Sequence, residues 1–194
     1  MAEKDRLRWN KRFHAERDGW AEHAPFLDEI GHFLPQKGKA IDVGGGPGRN
    51  AFWMAKRGLD VTLADISSVA LQMAKERAEK SNLAISCLEV DLDEEEFPKG
   101  PWHVILCNHY LPTPLIAQFS NALEKNGILV VCHPTEMNLE RHKRPSKRFL
   151  IAEGALRAKL SGFELLYYEE GWFSDIHEVR LIAKKTEQVK CDGE

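Results

Sequence analysis

No stretch of this chain stays apolar for the ~20 residues that a membrane-crossing helix needs. Its first residues, Met1-Ala2-Glu3-Lys4-Asp5-Arg6, lack the apolar core of a secretion leader. A cytoplasmic protein with no membrane partner is therefore expected. Cysteine is sparse: four in 194 residues, with no C-x-x-C pair and no His/Cys spacing of a zinc site. Cys87, Cys107 and Cys132 stand in apolar runs and read as buried, reduced thiols, while Cys191 lies in a polar tail. No metal site is predicted. Surplus positive charge is missing too. The 27 Lys and Arg against 30 Asp and Glu leave a formal −3, and the pI is near 6.3. That balance argues against general nucleic-acid binding. Internal repeats and low-complexity linkers are absent, so a single domain over residues 1–194 is expected at this length.

What is present is an alternation of short apolar runs and helical patterns. Hydrophobic residues make up 43% of the chain, enough for a sizeable core. The first 35 residues hold Trp9, Phe13 and Trp20, and then Phe26, Leu27, Ile30, Phe33 and Leu34 at helical spacing. They predict one or two helices ending near Pro35. Strands are predicted over residues 39–43, 60–64, 84–88, 102–107 and 128–132. Helices are predicted after Arg49, after the N-cap Ser67 and over residues 114–123, the last stopped by Asn126-Gly127. Residues 133–148 are polar and have no period. A helix over 151–161 and two last strands, 163–168 and 179–183, complete the pattern. Near-continuous apolar strands alternating with helices mean a sheet buried on both faces, in an α/β doubly wound, Rossmann-like arrangement.

The most informative run is Ala40-Ile41-Asp42-Val43-Gly44-Gly45-Gly46-Pro47-Gly48-Arg49-Asn50. A buried strand ends in an acid and turns through glycines into a helix. Residues without Cβ let backbone amides approach a ligand. Glycines at 44, 46 and 48 spell G-x-G-x-G. The pyrophosphate-binding G-x-G-x-x-G would need glycine at 49, where Arg49 stands. Asp42-x-Gly44-x-Gly46-x-Gly48-Arg49-Asn50 resembles motif I of class I S-adenosylmethionine (SAM) dependent methyltransferases. The Gly48-Arg49-Asn50 ending is similar to the small bacterial branch around the tellurite-resistance and thiopurine methyltransferases. Trp9-Asn10-Lys11-Arg12-Phe13 resembles the W-D-x-R-Y/F start of that branch, with Asn10 in place of the usual Asp. Similarity to the branch runs from Trp9 to Ala183.

The resemblance implies a seven-stranded sheet whose last two strands form a hairpin, with SAM as cofactor. Ligands in such sheets bind outside the carboxyl ends of the strands, and the informative residues end strands. Asp65 lies 19 positions after Gly46, where a carboxylate accepts both hydrogen bonds of a ribose diol; Ile66 follows it. By the same resemblance Asp91 reads the adenine amine, with Asp93 as the other candidate, and Leu92 offers a backbone amide. Asn108 faces the methionine end, and Trp9 and Arg12 close over it. Asp42, Gly44, Gly45, Gly46 and Asn50 complete the expected cofactor set. The N/D-P-P-Y/F motif of nucleobase and glutamine amino-group methyltransferases is missing, as is the Pro-Cys pair of cytosine C5 enzymes.

SAM carries an activated methyl, so the protein must align an in-line displacement and exclude water. A hydroxyl or amine acceptor also needs a base. His109 and His133, after the fourth and fifth strands, are the candidate catalytic residues. Residues 1–35 are expected as an N-terminal helical lid and 133–148 as a substrate lid. The cations of Arg141-His142-Lys143-Arg144-Pro145-Ser146-Lys147-Arg148 suit an anionic or soft acceptor. The expectation is a methyltransferase of a small-molecule acceptor, monomeric or homodimeric, with no nucleic-acid partner. Two other readings stay open: a module that binds SAM or its product without turnover, and an NAD(P)-dependent oxidoreductase.

Overall fold

A computed structural model describes residues 2–15 and 22–186; Trp20 and Cys191 lie outside the described residues. Helix α1, Ala2–Ala15, comes first. The short helix α2, Phe26–Ile30, continues into a 3₁₀ turn, Gly31–Phe33. Strand β1, Gly38–Val43, is followed by α3, Arg49–Lys56. Then come β2, Leu59–Asp65, α4, Ser68–Ser81, and β3, Ile85–Glu89. Strand β4, Trp102–Asn108, precedes α5, Ile116–Ala122, and β5, Leu123–Pro134. The chain closes with β6, Phe163–Phe173, and β7, Ile176–Lys185. No described helix is long and apolar enough to cross a membrane.

The seven strands form one sheet in the order β3-β2-β1-β4-β5-β7-β6. Strands β1 to β5 run parallel, and β7 is antiparallel to both β5 and β6. The strand order reverses between β1 and β4, so their carboxyl ends open a crevice. Alternation along the strands divides the core in two. Ala40, Val104, Leu106 and Val130 face α2, α3 and α4. Ile41, Ile105, Cys107 and Leu129 face α5 and the segment around Leu156. Each fully buried large side chain contributes ~1.5–3 kcal/mol, and both faces are lined this way.

Local signals account for most boundaries. Ser67 caps α4, its hydroxyl accepting from the Ala70 amide at 3.1 Å, and Asn82 ends it in a left-handed conformation, φ 50°. Three expectations are corrected. Asn126-Gly127 does not stop a helix: α5 ends at Ala122 and the pair lies within β5, Asn126 at φ 62°. Residues 151–161 are not a helix but turns with a 3₁₀ turn, Arg157–Lys159. Gly154 sits there at φ 71° and interrupts the helical path, while Leu156 and Leu160 still reach the core. The segment after β5 is also more ordered than its lack of period suggests. Thr135 Oγ1 meets His177 Nδ1 at 2.7 Å, and the Asn138 side chain accepts from the His177 amide at 3.1 Å and donates to the Thr135 carbonyl at 2.9 Å. This pins the base of the segment to β7.

Candidate active site

Most residues singled out by the sequence gather at the carboxyl ends of β1 to β5, with Trp9 and Arg12 on α1 and Asn50 on α3. After β1 the chain turns through Gly44 to Gly48. The Gly44 amide donates to the Ala64 carbonyl at 2.8 Å, and Gly46 stands at φ 58°. Asp65, at the end of β2, locks this loop. One carboxylate oxygen accepts from the Gly46 amide and the other from the Ser67 amide, both at 2.8 Å. Burial raises the Asp65 pKa, opposed by those two amides and that of Ile66. The acid expected at a ribose therefore also braces the glycine turn against the start of α4.

Asp42 is fully buried, and among the described residues its carboxylate is approached only by the Ala51 backbone amide, in a contact too loose for a full hydrogen bond. Burial, with the negative charge of Asp65 adding to it, pushes its pKa up to about 7. Gly45 has no room for a side chain because a Cβ there would stand 2.5 Å from the Asp42 carboxyl carbon. The Tyr110 ring packs against Gly44, and the Phe13 ring approaches Gly46, 3.1 Å from where its Cβ would be. Asn50 is otherwise engaged: its side-chain oxygen accepts from the Ala24 amide at 2.9 Å, holding the chain before α2.

Asp91 shapes the acidic turn after β3. One oxygen accepts from the Asp93 amide at 3.1 Å, and the other is buried without a partner. Leu92 is buried beside it, whereas Asp93 is exposed, where its carboxylate accepts from the Tyr110 hydroxyl at 3.5 Å.

Helix α1 lies over the loop. Trp9 and Phe13 stack with centroids 5.6 Å apart, and Arg12 stands over Trp9 at 5.3 Å. Asn10 explains its own departure from the usual Asp. Its side-chain oxygen accepts from the Ser67 hydroxyl at 2.6 Å and from the Val69 amide at 3.4 Å. That role needs an acceptor oxygen, not a charge.

The two histidines separate. His133 is 6% exposed, and its Nδ1 is buried without a partner. Burial lowers its pKa to about 4, with the charge of His109 adding to this. It is a neutral, enclosed imidazole and a poor base. His109 follows Asn108 at φ 58°, its amide donating to the Cys132 carbonyl at 2.8 Å. Its side chain is 42% exposed toward solvent, and its Nε2 lies 3.3 Å from Glu178 Oε2. Glu178 was not among the residues singled out from the sequence. It is buried on β7, and the Arg180 Nε donates to its other oxygen at 2.7 Å. Burial alone would raise its carboxyl; hydrogen bonds and charge from His109 and Arg180 outweigh that and hold it below the usual range. The one sequence signal was a charged pair, Glu178 and Arg180, flanking Val179 at the start of an otherwise apolar strand.

His109, Cys132 and Glu178 have potential ligand atoms all within 4.8 Å of one another. Burial and the Glu178 charge raise the Cys132 pKa and keep it a thiol, and Glu178 is already paired with Arg180. The trio is satisfied as a hydrogen-bonded group. A separate depression lined by Pro35, Gln36, Lys37, Gly38 and His103 lies at the amino ends of the strands, across the sheet from this chemistry.

Comparison with known proteins bears on the same region. Residues 40–127 match the model of a family described as a methyltransferase domain. The chain is 38% identical over 150 residues to the tRNA 5-carboxymethoxyuridine methyltransferase of Escherichia coli; the match covers 72% of this chain and 56% of that protein. It is 24% identical over 136 residues to a 23S rRNA (uracil(747)-C(5))-methyltransferase of Pyrococcus abyssi, covering 68% of this chain and 32% of that one. In structure it is similar to TehB from Haemophilus influenzae, with a TM-score of 0.73 and 21% identity over 92% of this chain and 67% of that chain. The chain thus spans little more than half of the first of these relatives. Two of them are RNA methyltransferases by name, and this overturns the expectation that nucleic acid is excluded as a partner. Net charge averages over the whole surface and says nothing about one face of it.

Proposed function

We propose that the chain, which matches a methyltransferase-domain family over residues 40–127, is a SAM-dependent methyltransferase that binds SAM over the Gly44–Gly48 loop and directs the methyl group in line to a nucleophile entering beside His109. The single observation that carries this reading is the pair of buried, under-bonded acids around a braced glycine turn: Asp42, which only the Ala51 amide approaches, and Asp91, with one oxygen unpartnered. Burying an ionised carboxylate without a partner is costly, and a cationic ligand with an amine removes that cost. SAM fits this donor set. Its ammonium suits Asp42, its adenine amine suits Asp91 with the Leu92 amide beside it, and its ribose suits the lone pairs that Asp65 has left. An NAD(P) pyrophosphate would instead bring negative charge toward Asp42.

When bound, SAM supplies a methyl group already activated on a sulfonium. The protein's part is alignment, water exclusion and proton handling. Phe13, Trp9 and Tyr110 are apolar walls that keep water from the loop. His109 is the base: Glu178 accepts the Nε2 proton, which leaves the Nδ1 lone pair to take a proton from an O–H, N–H or S–H acceptor. Arg180, stacked on Phe173 at 3.6 Å and on Phe26 at 5.1 Å, holds Glu178 in register. Residues 133–148 form the acceptor side of the cleft.

The test is an acceptor panel read by release of S-adenosylhomocysteine. It includes bulk tRNA, rRNA fragments, thiols, phenols and carboxylic acids. A productive acceptor is expected, and with it His109→Asn should lower kcat ~10²–10⁴-fold while SAM affinity holds. A chain that binds SAM but turns over none of the panel matches the non-catalytic module. One that binds NAD(P) in preference to SAM contradicts the reading.

A further inference from the structure

We infer that α1 and the segment 136–148 together form a docking surface for single-stranded RNA along one lip of the cleft. Charge is the first observation. Residues 2–15 hold five Lys and Arg against two acids, a formal +3, and residues 136–148 hold five against two, again +3. The chain totals −3, so these two short segments carry +6 and everything else −9. Such segregation in an acidic protein is a local feature and not a by-product of composition.

Placement is the second observation. The two segments touch. Asp5 binds Arg8 of its own helix at 3.0 Å and Arg148 across the gap at 2.9 Å. One shielded acid, 15% exposed, thus serves two guanidiniums that are each nearly half exposed. The joined surface runs from Phe13 at the glycine loop, through Arg148, to Arg141 over the Trp172 ring at 3.6 Å. Asp93, Glu94, Glu95 and Glu96 form an exposed acidic turn after β3, which repels a polyanion.

The third observation separates a single strand from a duplex or a small anion. Aromatic rings interleave with the cations. Arg8 lies between Trp9 at 5.3 Å and Phe149 at 4.9 Å, and Arg148 covers Phe149 at 4.3 Å. Alternating guanidiniums and half-buried rings suit phosphates with unstacked bases between them, whereas a duplex hides its base faces. A small anion would be gripped in an enclosed pocket. Here Lys143, Arg144 and Lys147 are spread along an exposed rim, which suits repeated phosphates. The inference rests on the methyl-transfer reading only for the edge of the sheet at which the acceptor enters.

Fluorescence anisotropy on the full chain tests it, with a labelled 12-nucleotide RNA of mixed sequence, the same RNA as a duplex, and SAM titrated separately. The single strand should bind at 50 mM KCl and weaken roughly tenfold or more by 200 mM, as release of counterions from about three phosphates requires. The double variant Lys143→Glu/Arg144→Glu changes only exposed side chains. It should lose at least tenfold in RNA affinity with SAM affinity unchanged. Phe149→Ala should weaken RNA binding without changing its salt dependence. Lys75→Glu/Lys80→Glu, on exposed positions of α4, should leave RNA binding as it was. No RNA binding at 50 mM, equal loss from the α4 variant, or tighter binding of the duplex would each overturn the inference. RNA binding without SAM binding would leave this surface standing and sink the methyl-transfer reading instead.

Discussion

Asp42 makes the strongest residue-scale predictions. Its pKa is about 7 in the folded chain against 3.8 for the free side chain. Between roughly pH 4 and 7 the folded state therefore holds a proton that the unfolded state has released, and stability falls as pH rises through that window. His133 works the other way. Folded it stays neutral down to about 4, while the unfolded side chain binds a proton below 6.5, so its contribution rises with pH. Comparing wild type with Asp42→Asn cancels the His133 contribution. The variant should gain stability relative to wild type from pH 5 to pH 8, measured by calorimetric melting; a constant difference would show that Asp42 does not titrate as described. A cation seated on Asp42 depresses its pKa, so SAM binding near pH 6.5 should release a proton, seen as a buffer-dependent binding enthalpy. At Asp65, losing both amide acceptors in Asp65→Ala should cost about 2–4 kcal/mol of SAM affinity. Asp65→Asn, which keeps one acceptor oxygen, should cost less. Asp65 was legible in the sequence because the glycine motif sets its spacing. Glu178 was not, because its partner His109 lies 69 positions away and nothing local marks the pairing.

At the scale of elements, α1 does more than the lid role expected of it. It covers the glycine loop through Phe13, and it packs: Phe13 is 4% exposed and Asn10 anchors Ser67 at the start of α4. Deleting residues 1–14 should therefore weaken SAM binding at least tenfold, about 1.4 kcal/mol, and lower the melting temperature of the free protein as well. Unchanged SAM affinity on the truncated chain would remove α1 from the site. Elements with strong local chemistry were legible, such as α4 with its Ser67 cap and Asn82 stop. The stretch 151–161 was not. Its buried Leu156 and Leu160 mimic a helical period, but they reach the core from successive turns around Gly154. The ends of β6 and β7 extend past their apolar stretches because pairing in a hairpin, and not hydrophobicity, sets their length.

For the whole molecule, the sheet order brings residues from β1, β2, β4, β5 and β7 to one edge, and no single segment contains the site. The α/β class was readable from alternation, and the turn after β1 from its glycines. The meeting of the basic residues of α1 with those of residues 136–148, through Asp5 and Arg148 at 2.9 Å, was not. It joins segments far apart in sequence, and their positive charge vanishes in a net charge of −3. The loop at the centre of this edge can be tested directly, because Gly46 at φ 58° leaves a β-branched side chain neither a relaxed backbone nor free space beside Phe13. Isothermal titration of wild type and Gly46→Val with SAM and with NAD, alongside circular dichroism, is the most direct measurement. Wild type should bind SAM and not NAD, and Gly46→Val should lose SAM binding while its spectrum stays that of the folded chain. SAM binding that survives unchanged in Gly46→Val, or a wild type that prefers NAD, would contradict cofactor binding at this loop.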